Sequence, residues 1–116
     1  MILSVDFDGT IAENAWPEIG QPIPGAIQAL RQLHRDGHKI IINSCRAGAP
    51  ERLMKQWLTV NRIPYDAINE NLIERIEQYG EDCRKISADV YIDDKGLFCR
   101  IDWPAIVSAI KRMEAQ

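Results

Sequence analysis

The stretch Ile2-Leu3-Ser4-Val5-Asp6-Phe7-Asp8-Gly9-Thr10 decides the reading of this chain. An apolar run leads into two carboxylates, and Gly-Thr follows at once. The run reads as a strand from Ile2 to Phe7 that ends in charge. Alternation along a strand sends Asp6 and Asp8 to one side and turns Phe7 into the core.

Outward from this strand, apolar runs alternate with helical periodicity. A turn-rich region containing Gly and Pro extends to Pro24. A helix is expected from about Pro24 to Asp36, with Ala26, Leu30 and Leu33 on one face and Gly37 as its stop. Lys39 to Asn43 carries the β-branched run Ile40-Ile41-Ile42, which suits a strand buried on both faces. A second helix opens with Pro50 in its first turn and carries Leu53, Met54, Trp57 and Leu58. A short strand is expected near Asp66 to Asn69, and a weaker helix from Leu72 to Tyr79. Another strand follows from Ala88 to Ile92, with Leu97 to Ile101 as an extra edge strand. In the last helix Asp102 is the N-cap, Pro104 lies in the first turn, and Ile106, Val107, Ile110 and Met113 face the core.

This order predicts an α/β three-layer sandwich. Its Rossmann-like parallel sheet has at least four strands, with helices on both faces. The first strand is central, between the Lys39 and Ala88 strands. A topological switch point then lies beside it, where ligands bind at the carboxyl ends of strands. The 116 residues fit one domain, residues 1–116, and no segment is long enough to fold as a separate cap.

The net charge of −3 gives no electrostatic reason to expect nucleic acid or an anionic membrane as partner. The three cysteines, Cys45, Cys83 and Cys99, lack zinc spacing and are read as free thiols. No signal peptide or membrane span is legible, so a cytoplasmic location is expected.

The chemistry gathers at the strand ends. The first strand ends in Asp6 and Asp8, the second in Ser44, and the fourth in Asp93-Asp94. Four carboxylates in one small cleft repel one another, so a hard cation is expected among them, Mg2+ first. A carboxylate can attack a phosphoryl group, and a second one two residues on can exchange protons with the leaving alcohol and with water. Ser44 can hold a phosphate oxygen.

These residues resemble the haloacid dehalogenase-like superfamily of phosphohydrolases. Asp6-Phe7-Asp8-Gly9-Thr10 is similar to its first motif. The run ending in Ser44 is similar to its second, and Val90-Tyr91-Ile92-Asp93-Asp94 to its fourth. The resemblance covers the chain in element order and is closest to small, capless members of bacteria and phages. It implies a magnesium-dependent phosphatase with Asp6 as nucleophile and metal ligand. Asp8 is the implied acid/base and binds metal through its carbonyl. Ser44 holds the phosphoryl group, and Asp93 and Asp94 bind the metal. Gly9, Thr10, Arg46 and Lys95 join Ser44 as expected substrate contacts.

The family's third-motif Lys or Arg has no counterpart in Asn69-Glu70-Asn71. Lys95 and Arg46 stand beside the predicted site, and Lys85 towards the opposite end of the sheet. The expected substrate is a small phosphorylated metabolite or a nucleotide, with a polynucleotide end also compatible.

The plainer readings are a turn at Asp93-Asp94, core roles for Trp57 and Trp103, and surface positions for His34 and His38. Trp16 lies in the loop after the first motif, within reach of a substrate. A cysteine-phosphatase loop at Cys45 needs Arg six residues on, but Glu51 stands there. A receiver-like module needs its acceptor Asp at the end of the third strand, but Asp66 begins that strand. A catalytically idle relative that binds phosphate or a partner is the remaining alternative.

Overall fold

The computed structural model describes residues 1–116. In chain order the elements are β1 (Ile2–Asp6), β2 (Ala12–Ala15), β3 (Glu18–Pro22), α1 (Ala26–Arg35), β4 (Lys39–Asn43), α2 (Gly48–Val60), β5 (Ala67–Ile68), α3 (Ile73–Tyr79), β6 (Val90–Ile92) and α4 (Trp103–Glu114). The main sheet has the order β5-β4-β1-β6, and every pair in it is parallel. β1 is thus central, with β4 and β6 beside it as the strand pattern required.

Parallel register puts like-facing residues side by side. Leu3 pairs with Ile40 and Val90, and Val5 with Ile42 and Ile92. These residues join Leu30 and Leu33 of α1, Met54 and Leu58 of α2, and Trp103 and Ile110 of α4 in the principal core. Full burial of each such aliphatic side chain is worth about 1.5–3 kcal/mol. On the opposite face Ile2, Ile41 and Ala67 form a smaller cluster, covered by Leu72, Ile86 and Ala88. The two faces account for the β-branched run of β4.

Local signals fix the ends. The Asp102 carboxylate accepts from Ala105 N–H at 3.2 Å and caps α4, with Pro104 in the first turn. Gly37, at φ +96°, turns the chain out of α1. Asp89 ties the start of β6 to β1. Its Oδ2 accepts from Ile2 N–H at 2.7 Å, and its own N–H donates to Ile2 O at 2.8 Å.

Four expectations are corrected. Residues 12–22 are an antiparallel hairpin, β2–β3, rather than plain turns. Three of the four β2 residues are exposed, so the segment carries no apolar alternation to announce it. Leu97 to Ile101 forms no strand. Gly96 N–H donates to Asp93 O and Cys99 N–H to Gly96 O, so the chain turns twice and leaves Leu97 and Phe98 exposed. His38 is buried rather than at the surface, with Nδ1 3.0 Å from the Met1 amino group and Nε2 2.7 Å from Glu114. Met113 is half exposed instead of core-facing. No helix is long and apolar enough to cross a membrane.

Candidate active site

β1 and β6 are neighbours, with Val5 paired to Ile92, so their carboxyl ends deliver Asp6 and Asp93-Asp94 to one place. One oxygen from each of the three carboxylates lies within 4.8 Å of the others. Burial first, and then the Asp94 and Asp93 carboxyls, push the Asp6 carboxyl up to about 7 from its ordinary 3.8, while Thr10 pulls it down. Three acids crowded in this way favour either a retained proton or a bound cation. An all-oxygen donor set fits a hard divalent cation.

Thr10 organises the cluster from beneath. Its hydroxyl lies 3.2 Å from Asp6 Oδ2 and 3.0 Å from Asp94 Oδ1, and it accepts from Asp94 N–H at 3.0 Å. The buried indole of Trp103 donates to Thr10 O at 2.9 Å, anchoring the turn to the core. Gly9 sits at φ +88°, and a Cβ there would collide with the Asp94 carboxylate. The Gly-Thr pair therefore seats the carboxylates. Thr10, expected as a substrate contact, is wholly buried, with its hydroxyl directed to Asp6 and Asp94. Gly9 serves by leaving room for Asp94.

Asp8 departs from the expected convergence. Its carboxylate faces the wall of the cleft and forms a bidentate pair with Arg46, Nε to Oδ2 and Nη2 to Oδ1, both at 2.8 Å. The cluster thus has three carboxylates and not four. Arg46 gives its remaining donors to Pro17 O (2.9 Å), Pro50 O (3.3 Å) and Glu18 O (2.7 Å). All five guanidinium N–H groups are engaged and the side chain is buried, so none is free for a phosphate while Asp8 holds it. The expectation of Arg46 as a substrate contact is corrected to a clamp between Asp8 and the β2–β3 hairpin.

Ser44 lines the same cleft, which encloses about 320 Å³. Its N–H donates to Asn69 Oδ1 and its carbonyl accepts from Asn69 Nδ2, both at 2.8 Å. Its hydroxyl accepts from Arg46 N–H at 3.0 Å. Asn69 was not foreseen as a site residue. Its φ of +53° is one that Asn tolerates, and an Asn closing a strand was the available signal. Lys95 reaches the cleft, whereas Lys85 lies over the Tyr91 ring at 5.4 Å and lines a different hollow. No Lys or Arg side chain donates to Asp6.

A conserved protein from Bacteroides thetaiotaomicron is 35% identical to this chain. The alignment covers 97% of this chain and 91% of that protein, with a TM-score of 0.87. The chain belongs to the same family as that conserved protein, and the order of its motifs resembles the haloacid dehalogenase-like superfamily. A structural-genomics target from Vibrio cholerae is 26% identical over 58% of this chain and 66% of its own, at a TM-score of 0.47. A D,D-heptose 1,7-bisphosphate phosphatase from B. bronchiseptica, solved with magnesium and phosphate, is 18% identical over 99% and 64%, at 0.44. These two scores are too low to bear on the site. No family model and no curated protein matches the chain. The cleft is walled by the hairpin and the loops after β4 and β6.

Proposed function

We propose that the chain is a magnesium-dependent phosphatase that hydrolyses a phosphomonoester through an aspartyl-phosphate on Asp6. The observation that carries this reading is the meeting of Asp6, Asp93 and Asp94 oxygens within 4.8 Å at the carboxyl ends of β1 and β6. These three side chains would hold the cation, with the Asp8 carbonyl as a further ligand. When bound, magnesium offsets the repulsion between an anionic nucleophile and an anionic phosphate.

An Asp6 carboxylate oxygen attacks phosphorus, and the bond from phosphorus to the leaving oxygen breaks. Asp8, in its protonated form, gives the departing alkoxide a proton. Water then attacks phosphorus and gives a proton to Asp8. The bond from phosphorus to Asp6 breaks, and the carboxylate is restored as inorganic phosphate leaves. Ser44 and the N–H groups of the loop after it hold the phosphoryl oxygens, with Lys95 nearby. For this role Asp8 must release Arg46 and turn to the leaving group. The clamp on Asp8 also supports a second reading, a catalytically idle relative that binds phosphate without turning it over.

The test is phosphate release from a panel of small phosphomonoesters. Turnover that requires Mg2+, stops with EDTA and disappears in Asp6→Asn supports the phosphatase. Phosphate binding without release supports the idle relative. Turnover that survives Asp6→Asn contradicts the assignment of the nucleophile.

A further inference from the structure

Trp16 is 58% exposed, although an indole at a hairpin turn gains little by meeting water. It lines the same cleft as Asp6 and Asp8. The ring is not loose, because Arg46 Cζ lies 5.2 Å from its centroid and the same guanidinium is fixed by five hydrogen bonds. Arg46 thus connects Trp16 to Asp8, the residue that would serve the leaving oxygen. The indole and Asp8 therefore share one wall of the cleft.

Beside it, the Asn14 carboxamide oxygen accepts from Trp16 N–H at 3.2 Å, and the Nδ2 of this cleft-lining residue has no protein partner. A rigid, exposed aromatic face next to an amide donor is a platform for a flat heteroaromatic ring. Lys95 is the one cation of the cleft wall without a protein partner, too little charge to follow a phosphate polymer. The volume of about 320 Å³ is likewise that of a small-molecule site.

We infer that the phosphomonoester is a nucleoside monophosphate, its base stacked on Trp16 and its phosphate at Asp6. This rests on the phosphatase reading and adds the class of leaving group. The distinguishing experiment compares kcat/KM for nucleoside monophosphates, glycerol phosphate and 4-nitrophenyl phosphate in the wild type, Trp16→Ala and Trp16→Phe. The nucleotide should be preferred over glycerol phosphate. Trp16→Ala should lower that ratio roughly tenfold, mainly through KM, and Trp16→Phe should restore most of it.

A preference for 4-nitrophenyl phosphate with none for nucleotides places the ring directly on the ester oxygen and overturns the nucleoside assignment. An equal effect of Trp16→Ala on every substrate overturns the platform altogether. Indole fluorescence of Asp6→Asn with Mg2+, titrated with a nucleoside monophosphate, reads stacking without turnover, with Trp16→Phe in the same background as control. Quenching that depends on Trp16 upholds the platform even if no ester is hydrolysed, in which case only the phosphatase reading falls. Absence of such quenching overturns the platform whatever the turnover.

Discussion

Thr10 reaches two carboxylates with one hydroxyl, and Gly9 leaves the space that one of them fills. Thr10→Val keeps the shape and removes those partners, so a loss of about 1–3 kcal/mol is expected in denaturant unfolding, with weaker metal binding. Unchanged values for both would contradict the seating role. Gly9→Ala meets Asp94 and a left-handed backbone at once, and should abolish metal binding as read by calorimetry.

Asp6 sets the pH behaviour. Its folded value of about 7 lies above its ordinary 3.8, so the native state holds the proton more tightly than the unfolded chain. The resulting stabilisation is complete below 3.8 and is lost as pH rises through about 7. Metal-free protein should therefore lose thermal stability across that window, and Asp6→Asn should flatten the loss. The same proton competes with the cation. Mg2+ affinity should fall below about pH 7, by up to roughly tenfold per pH unit, with proton release seen by calorimetry in buffers of different ionisation enthalpy. A flat affinity across that range would contradict the cluster as the metal site.

Among the elements, the β2–β3 hairpin depends most on a single residue outside itself. Arg46 binds the carbonyls of Pro17 and Glu18 while pairing with Asp8. Arg46→Met strands a carboxylate and several carbonyls, so a cost of about 3–5 kcal/mol is expected, with faster amide exchange in residues 12–22. Lys cannot reproduce the fork and should rescue little. At the other end of the sheet, Asp89 is held below the usual carboxylate range, first by the Ile2 N–H and then by Arg75. Its stabilisation is present above 3.8 and is lost as pH falls through its lowered value. In acid titrations Asp89→Asn should remove part of the acid-induced loss of stability.

Across the whole molecule, what was legible in the sequence was what periodicity encodes. The strand order, the Asp102 cap and the convergence of Asp6 with Asp93-Asp94 follow from β-branched runs, helical spacing and charges at strand ends. The hairpin was not legible, since Ala12–Ala15 has no apolar face and is held by Arg46 from elsewhere in the chain. The direction of the Asp8 carboxylate was also hidden. Alternation gives a side, but a buried guanidinium brought in after β4 decides where the group points. The burial of His38 is likewise a tertiary effect, because a helix end reads as surface until α4 packs across it.

The most direct measurement is to mix the protein with Mg2+ and a nucleoside monophosphate, quench in acid within the first turnover, and map phosphorylated peptides by mass spectrometry. The account predicts one phosphoryl group on Asp6, absent in Asp6→Asn and in samples with EDTA. Turnover with no phosphorylated peptide, or with the group on another residue, would contradict it.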